Sequence, residues 1–593
     1  MPGLGGALDI ARWSLYSTQL AIEVVSHNVA NANTEGYSRQ SLRVEANTPI
    51  TMGPGQIGTG VKAVEVTRSY DNFLNAQVNL KTSDYSYWSA QSTAMQEIES
   101  IFNESDENGI NALMGEFWNA WGDLSNNPDG VAERQSLVSN SENLLSMVSE
   151  IDYNLRSYQR HLDSNIQGAV DDVNSIIEQI AVLNKEITSV EIDGLINAND
   201  LRDSRDLLLT QLSGYMDINY YEDEVSGQVN VYILGGTPLL LGTTTYSVDT
   251  VRNSTTGFSD IIWQDSSGRT VNITNKLSGG EIAGMVNVRD TKIGSYIESM
   301  NTLMEELVWQ VNALHSEGVG LSSVSEMTGT VQGLTAASDL SADFLYSDRY
   351  NASGSFDIQV FDANGDVVNT YHIDPAGSTV GDLITEINAE STAGGGEITA
   401  GLTADGEFQI SATSTAYTFA ISPSSTGESS NALAVIGVNT FFTWAEQVGQ
   451  PMADITETIA VNEALVDDPT LISAGYLDEN GQVAEGANEV ALAIFNLQDL
   501  VIDDMGGTGV STTMDAYYSS LVAQVGVDVQ NAVNNEEFND TLLTQYTSRK
   551  ESVAGVNVDE EMTELLKYQQ LYQAVAKLIS ISDEMMQSLL SIK

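Results

Sequence analysis

The two ends of the chain carry matched apolar seams, and these constrain the fold more than any other feature. Along both terminal segments, the seam positions recur at alternating steps of four and three residues, which keeps them on one stripe of a helix. The N-terminal seam consists of Leu4, Leu8, Ala11, Leu15, Thr18, Ile22, Val25 and Val29. The C-terminal seam consists of Leu565, Tyr568, Tyr572, Val575, Ile579, Ser582, Met586 and Leu589. Each stripe predicts a helix that packs along another helix.

The C-terminal helix is apolar beyond its seam, because Leu571, Leu578, Met585 and Ile592 widen the stripe. A helix that is apolar over so much of its circumference usually contacts more than one neighbour. We therefore predict that the large apolar residues of both seams form an assembly interface. The periodicity alone allows two arrangements: the two ends pair with each other, or each end caps a small bundle of its own.

The pattern between the ends predicts a multidomain α+β protein, with helices that form a stalk and β-rich modules inserted into it. Residues 229–234 and 356–361 have the short, β-branched or alternating character of strands, whereas 166–187 and 293–314 have helical periodicity. The predicted parts are paired terminal helices at 1–46 with 551–593, an arm or hairpin at 47–70, a helical stalk at 71–212 with 281–316 and 488–550, and β-rich modules at 213–280 and 345–445.

Two connecting segments have less certain places in this scheme. Residues 316–342 are rich in Ser, Thr and Gly and are interpreted as a linker. The return segment 446–487 is a candidate part of the first β-rich module. The strands of the second β-rich module, 345–445, fall into one contiguous block. We therefore expect this module to be an exposed insert that can be removed with little effect on its host.

The charge of the chain excludes several kinds of partner. Lys and Arg number 23 against 82 Asp and Glu, which gives a formal net charge of −59. Such a field repels phosphate backbones and anionic lipid, so we expect no nucleic-acid partner. The acidic residues are spread along the chain, which favours solubility or a saline habitat over an acidic-tail function. No apolar run approaches the roughly 18 residues of a membrane span, so we expect no membrane insertion.

Cysteine is absent from all 593 residues, so disulfides, thiolate metal sites and cysteine nucleophiles are excluded. The first residues have neither the basic nor the apolar region of a Sec signal peptide. Sequence motifs for phosphate-binding loops, zinc proteases and serine hydrolases are missing, and the four histidines are isolated from one another. We therefore expect no catalytic residues, metal or cofactor, and a structural or binding protein is favoured over an enzyme.

A family resemblance lies in the segment that follows the first helix. Residues 26–40 resemble the signature of the flagellar rod, hook and hook-associated proteins, in which a heptad helix is followed by an Asn-rich turn, a glycine and an aromatic residue. Gly-Tyr-Ser-Arg-Gln at 36–40 resembles the hook-associated protein 1 family in particular, and 58–71, 311–318 and 555–561 agree with it in the same order. The signature residues are Asn28, Asn31, Asn33, Gly36, Tyr37, Arg39 and Gln40.

The resemblance implies a structural role at the junction between the flagellar hook and the filament. It implies a homo-oligomeric ring that binds the hook protein on one side and the next junction protein on the other. It also implies export unfolded through the flagellar type III channel, an extracellular location, and a cytoplasmic export chaperone at the C-terminal helix. Two alternatives stay open: a hook or distal rod protein, and a secreted enzyme carried on flagellar-type terminal helices.

Overall fold

The fold is a mixed α+β arrangement of long helices and several small antiparallel sheets, seen in a computed structural model. The structure describes residues 2–52, 55–102, 109–192, 196–233, 235–375, 377–425, 427–450, 454–478, 480–484, 486–507 and 509–591. Within these ranges the chain forms two compact units. Unit 1 comprises Met1–Gln96, Gln159–Thr291 and Asp528–Lys593, and unit 2 comprises Glu97–Tyr158 and Lys292–Val527. The predicted multidomain α+β class is confirmed.

Long helices dominate the described part of the chain. They are α1 (Pro2–Asn31), α2 (Asn72–Ile101), α3 (Ile110–Asn126), α4 (Val131–Val190), α5 (Asn199–Tyr215), α6 (Gly280–Asn287), α7 (Ile293–His315), α8 (Val380–Gly394), α9 (Ala432–Val435), α10 (Ile455–Thr458), α11 (Glu463–Asp467), α12 (Glu489–Phe495), α13 (Met514–Ala554) and α14 (Val558–Ser591). A π-helical turn, Val288–Lys292, joins α6 to α7.

The strands are short and pair antiparallel in every named sheet. They are β1 (Gln40–Ala46), β2 (Ile50–Met52), β3 (Gly55–Ile57), β4 (Val61–Arg68), β5 (Ile218–Glu222), β6 (Val229–Ile233), β7 (Thr237–Leu241), β8 (Thr244–Thr245), β9 (Ser247–Arg252), β10 (Ser259–Gln264), β11 (Thr270–Asn272), β12 (Glu326–Thr328), β13 (Phe356–Phe361), β14 (Val367–Ile373), β15 (Ile398–Leu402), β16 (Phe408–Ala412), β17 (Thr418–Pro423), β18 (Phe442–Thr443) and β19 (Ala460–Val461).

In unit 1, α1 packs along α14 and against the ribbon formed by β1 and β4. The ribbon continues into the smaller β2–β3 hairpin, and together they form the arm of the molecule. Two sheets, β5–β6–β7–β8 and β11–β10–β9, lie within the predicted first module, 213–280.

Buried Asn184 on α4 binds the β5–β8 sheet through its side chain. Its Nδ2 donates to the carbonyls of Val229 and Gly242, and its Oδ1 accepts from the Val229 amide at 3.0 Å.

In unit 2, α7 is the central helix, and its apolar seam from Ile293 to Val311 is buried. Aromatic side chains pack beside it, with Phe117 and Trp121 of α3 against Phe441. Two three-stranded sheets, β14–β13–β17 and β12–β16–β15, are joined by α8, which begins with a capping box at Thr379.

The structure partitions the predicted stalk differently. The sequence predicts one stalk domain made of 71–212, 281–316 and 488–550, but α2, α4 and α13 each contribute to both units. The physical reason is length: α4 has 60 residues and therefore extends about 90 Å, more than one compact core can cover. Within 488–550, the helix α12 is short and the long helix α13 begins only at Met514.

The second β-rich region also differs from the predicted 345–445 module. Strand β12 lies in the expected linker and pairs with β16, while β19, in the return segment 446–487, pairs with β18. The return segment therefore belongs to unit 2 and not with the 213–280 sheets. Backbone amides and carbonyls pair regardless of side chain, which is why a Ser/Thr/Gly-rich composition did not reveal β12.

Candidate functional site

The signature segment begins where α1 ends, in a tight turn shaped by Asn31 and Gly36. The backbone amide of Thr34 donates to the carbonyl of Asn31 at 2.9 Å, and Tyr37 in turn donates to the carbonyl of Thr34 at 3.2 Å. Gly36 has φ +78°, and a Cβ there would lie 3.2 Å from the Cβ of Leu207. Both the left-handed backbone and the close approach of α5 therefore favour glycine at this position.

Asn28 is the centre of the site, because it uses its full hydrogen-bonding capacity while only 1% exposed. Its Oδ1 accepts from the backbone amide of Gln40 at 3.0 Å and from the hydroxyl of Tyr37 at 2.9 Å. Its Nδ2 donates to the carbonyl of Gln40 at 2.9 Å and to Oε2 of Glu561 at 2.8 Å. One buried amide thus joins the end of α1, the start of β1 and the first turns of α14.

Arg39 makes the second connection, both to α14 and to the last residue of α13. Its Nε donates to Oε1 of Glu561 at 2.7 Å, and its backbone amide donates to the carbonyl of Ala554 at 2.7 Å. Glu561 is 2% exposed, so its carboxylate is held away from water between Arg39 and Asn28. We call Asn28, Tyr37, Arg39, Gln40 and Glu561 the end clasp.

Helix α5 supplies the carboxylates that surround the end clasp. Oδ2 of Asp203 accepts from the backbone amide of Ser38 at 2.8 Å, and Asp200 accepts from the Gln40 side chain at 2.7 Å. Arg68 bridges Asp203 and Asp206, each at 2.7 Å. Burial raises the pKa of Asp203, although the bonds from Ser38 and Arg68 oppose that shift.

The same burial keeps Tyr37 protonated. Burial is the largest cause that raises the pKa of Tyr37 well above its ordinary value, and the nearby carboxylates of Asp200, Asp203 and Glu561 raise it further. The phenol can therefore donate to Asn28 at all physiological pH values. His27 Nδ1 lies 3.0 Å from the same hydroxyl and accordingly acts as a donor to it.

The structure brings together four of the predicted signature residues, namely Asn28, Tyr37, Arg39 and Gln40. Asn31 lies one turn away and donates to the carbonyl of His27 at 3.0 Å, whereas Asn33 is exposed in the turn. The sequence did not show that α5 contacts the signature. A signal was present, because the charged stretch at 201–207 contains two of the carboxylates that Arg68 bridges.

Both predicted seams lie in the pair formed by α1 and α14. Val25 and Val575 are buried, and Leu8, Leu15, Ile22, Val29, Leu565, Tyr568 and Ile579 are partly buried. Tyr572 and Met586 are each 37% exposed. The side chains of Leu4 and Leu589 lie outside the described residues.

A second motif, residues 311–318, fastens the end of α7 in unit 2. Oδ1 of Asn312 accepts from the backbone amides of Phe441 and Phe442 at 3.0 and 2.9 Å, and its Nδ2 donates to the Phe442 carbonyl. His315 Nε2 accepts from the amide of Ser473 at 2.9 Å, so its Nδ1 donates to the carbonyl of Asn439. Burial lowers the pKa of His315 to about 4, which keeps the ring neutral.

Models of known protein families match segments of the chain that contain these motifs. The model for the flagellar hook-associated protein FlgK helical domain matches residues 95–329. The models for the flagella basal body rod protein and for the C-terminal part of the flagellar basal body rod FlgEFG protein match 8–37 and 551–592, where α1 and α14 lie.

Relatives named flagellar hook-associated protein 1 match essentially the whole chain. The one from Bacillus subtilis (strain 168) is 24% identical over 591 residues, which covers 98% of this chain and 97% of the relative. The one from Escherichia coli (strain K12) is 23% identical over 600 residues, with both chains covered completely. The chain is therefore similar over its whole length to flagellar hook-associated protein 1.

A solved structure shares the fold of this chain. The flagellar hook junction protein FlgK from Burkholderia pseudomallei superposes with a TM-score of 0.50 and is 18% identical, covering 80% of this chain and all of that one.

Neither a metal centre nor a membrane span is found where the structure describes the chain. Its described residues contain no group of three or more His, Asp or Glu side chains that could hold a metal ion. Among the described helices, none is long and apolar enough to cross a membrane.

Proposed function

We propose that this chain is a member of the hook-associated protein 1 family and forms the first junction ring between the flagellar hook and the filament. It is a structural component of the bacterial flagellum. The observation that carries the proposal is the end clasp, which ties the two termini of a 593-residue chain to each other through Asn28, Arg39 and Glu561.

The end clasp gives the terminal helices a fixed register. Glu561 lies in the first turns of α14, and Asn28 lies in the last turns of α1, so their hydrogen bond sets which seam residues face each other. Because both groups are buried, a shift in register would leave a carboxylate and an amide without partners, at a cost of several kcal/mol. The terminal pair is therefore a rigid building block, as assembly into a ring requires.

The terminal pair also retains apolar surface that the chain itself does not cover. On α1, Trp13 and Tyr16 are 37% and 59% exposed, and on α14, Leu578 and Met585 are 56% and 54% exposed. Large exposed apolar side chains in a continuous region mark protein interaction sites. We propose that these surfaces contact other copies of the chain, the hook protein on one side and the next junction protein on the other.

We further propose that the chain is exported unfolded to the exterior through the flagellar type III channel. The absence of cysteine supports this, since no disulfide constrains the unfolded chain. The wide apolar face of α14 would need protection before assembly, which supports a cytoplasmic chaperone that binds this helix.

The two alternative functions predict different phenotypes. A hook or distal rod protein would be required for the hook itself. A secreted enzyme on flagellar-type ends would leave both hook and filament intact. The match to hook-associated protein 1 relatives over the full chain favours the junction role over the first, while the rod-protein models match the terminal segments alone.

The decisive experiment is deletion of the encoding gene, followed by electron microscopy of the cells. We expect hooks without filaments, and filaments should return when the intact chain is supplied. Absence of hooks would indicate a hook or rod protein, and normal filaments would refute a structural role at the junction.

A matched pair of variants connects this phenotype to the end clasp. Asn28→Ala removes four hydrogen bonds of a buried amide, whereas Asn33→Ala alters an exposed residue five positions along the same signature. We expect Asn28→Ala to abolish filament formation and Asn33→Ala to preserve it. Equal behaviour of the two variants would show that the clasp is not needed for assembly.

A further inference from the structure

Helix α14 carries a second heptad seam that has no partner within the described chain. Leu571, Ala574, Leu578, Ile581 and Met585 recur at steps of three and four residues, on a different face from the seam that packs on α1. Their large members are 42% (Leu571), 56% (Leu578), 42% (Ile581) and 54% (Met585) exposed. A sustained heptad seam is suited to contact with a further apolar surface.

A groove of about 690 Å³ with an apolar lining lies on the same unit. It lies between the first turns of α1 and the arm, and its large apolar lining residues are Ile10, Trp13, Ile50 and Ile57. Ile50 and Ile57 face each other as a cross-strand pair and are 52% and 48% exposed. Seam and groove have no residue in common.

The groove is held in shape by the base of the arm. The amide of Asn47 donates to the carbonyl of Gly60 at 2.8 Å, and the hydroxyl of Thr59 donates to the carbonyl of Thr48 at 2.7 Å. Gly60 has φ +99°, and a Cβ there would lie 3.3 Å from Cα of Ile10. The arm therefore approaches α1 closely at one point, which preorganises the groove for a partner.

Charge indicates that the partner is a second copy of this chain. Segments 1–46 and 551–593 contain 11 acidic and 6 basic residues, whereas the remaining chain contains 71 acidic and 17 basic residues. Two copies that each carry a net charge of −59 repel one another least where their nearly neutral ends meet.

The groove and the second seam each have one acidic and one basic side chain beside them. Asp9 and Arg12 line the groove, where they form an exposed ion pair with each other at 3.9 Å, and Lys577 and Glu584 stand next to Leu578 and Met585 of the second seam. Lys577 can thus approach Asp9 while Glu584 approaches Arg12.

We propose that the second seam of α14 docks into the arm groove of a second copy of this chain, in a head-to-tail manner. Because different surfaces meet, the contact is heterologous and leaves a free groove at one end of a dimer and a free seam at the other. Such contacts build a closed ring or a helix. This proposal rests on the proposed ring and adds the surfaces that join its subunits.

The test uses paired cysteines in intact flagella, since the chain has none of its own. Ile57→Cys and Leu578→Cys are introduced together into one protein, which is expressed in the deletion strain and treated with a mild oxidant. We expect a ladder of disulfide-linked multimers in a non-reducing gel. Each single variant should remain monomeric, because the proposed contact never brings two grooves or two seams together.

A control pair, Val44→Cys with Leu566→Cys, has similar exposure, 49% and 57%, but lies outside the groove and the second seam. It should remain monomeric. The proposal is overturned if cells with filaments give no ladder from the Ile57 and Leu578 pair, if the control pair gives an equal ladder, or if the single variants cross-link with themselves.

Failure of the proposed function is distinguishable from failure of this docking. Filaments in the untreated deletion strain would refute the junction role, whatever the cross-links show. As a second measurement, Leu578→Asp should reduce filaments per cell at least about tenfold, since the charge is buried at the contact, while Leu566→Asp changes them less than about twofold. Equal effects of these two variants would overturn the docking.

Discussion

The two units bury polar groups by different means. Unit 2 contains 45 of the 82 acidic residues but only 4 of the 23 basic ones, whereas unit 1 contains 37 acidic and 19 basic residues. Unit 1 holds its parts with buried arginines, and Arg205 and Arg289 reach carboxylates while 0% and 1% exposed. Among the described residues of unit 2, buried Arg134 donates to backbone carbonyls and not to carboxylates. This unit otherwise relies mainly on apolar and aromatic contacts and on neutral hydrogen-bonding groups such as Asn312 and His315.

This difference relates to the work of each unit. Ionic networks in a partly dry environment are highly directional, so they specify register well even when their net stabilisation is small. Unit 1 contains the end clasp, where register decides assembly. Unit 2 has no need of that register, and its excess negative charge is consistent with a solvated surface.

The largest effect is expected when residues 345–444 are replaced by a short Gly-Ser linker. The structure gives this segment several contacts outside itself: Phe442 with Asn312, β18 with β19, and Arg349 with Glu306 at 2.9 Å. We expect unit 2 to lose protection from amide exchange along α7 while unit 1 retains it.

Lengthening the exposed turn at Asn364–Gly365 by two residues is the control and should leave exchange unchanged. Slow exchange of α7 in the deletion variant would show instead that 345–444 is an independent insert.

The second effect concerns the end clasp. Glu561→Gln removes a buried charge from Arg39 and should weaken the terminal pair by about 2–4 kcal/mol. Unit 2 should be unaffected, since the carboxylate lies wholly within unit 1. Amide exchange rates of α14, in unit 1, and of α7, in unit 2, are measured in one sample. We expect faster exchange in α14 alone, and faster exchange in both helices would contradict an effect limited to unit 1.

The third effect concerns the seam between α1 and α14. Leu15→Asp or Ile579→Asp places a charge at a partly buried helix contact, which should cost about 2–3 kcal/mol and abolish motility. Leu566→Asp, at an exposed site on the same helix as Ile579, serves as control for folding. Amide exchange in α1 should become faster in Leu15→Asp and Ile579→Asp but not in Leu566→Asp. Normal assembly of both seam variants would show that the pairing of α1 with α14 is not required for assembly.

The fourth effect is a pH dependence of unit 2 that arises from His315 and Glu317. Because the pKa of His315 is about 4 when folded and 6.5 ordinarily, the unfolded chain binds more protons between these values, and stability rises with pH by up to about 3 kcal/mol. Burial raises the pKa of Glu317 to about 7 from 4.5, so the folded chain binds more protons there and stability falls with rising pH.

These two contributions oppose each other between pH 4.5 and 6.5. His315→Gln should therefore leave a stability that falls from pH 4.5 to 7, and Glu317→Gln one that rises from pH 4 to 6.5. Urea denaturation of both variants at pH 4, 5.5 and 7 provides the test. Parallel stability curves would show that neither group titrates differently on folding.

The smallest effect is expected from salt. Raising NaCl from about 0.1 to 1 M shortens the Debye length from about 10 to 3 Å and screens the repulsion among like charges. Unit 2 should gain more stability than unit 1, by of order 1 kcal/mol, because its acidic residues have few basic neighbours. Exchange at Val360 and Ile180 reports on the two units, and an equal change at both positions would contradict the comparison.

The sequence by itself determined the helices and the class of the protein. Heptad spacing is a local property, so the seams of α1, α7 and α14 were readable from residue order, as were the strands between 213 and 280. The signature at 28–40 indicated the family because its turn chemistry is also local.

The tertiary structure alone decided which distant segments of the chain contact one another. Strand β12 pairs with β16 about eighty residues away, and Asn28 bonds to Glu561 across 533 positions; neither pairing follows from periodicity. The contacts of α5 with Ser38 and Arg68 were likewise hidden, because a charged helix face has the same pattern whether it meets water or a buried arginine. Periodicity records which face of an element is apolar, and only the folded chain shows what that face meets.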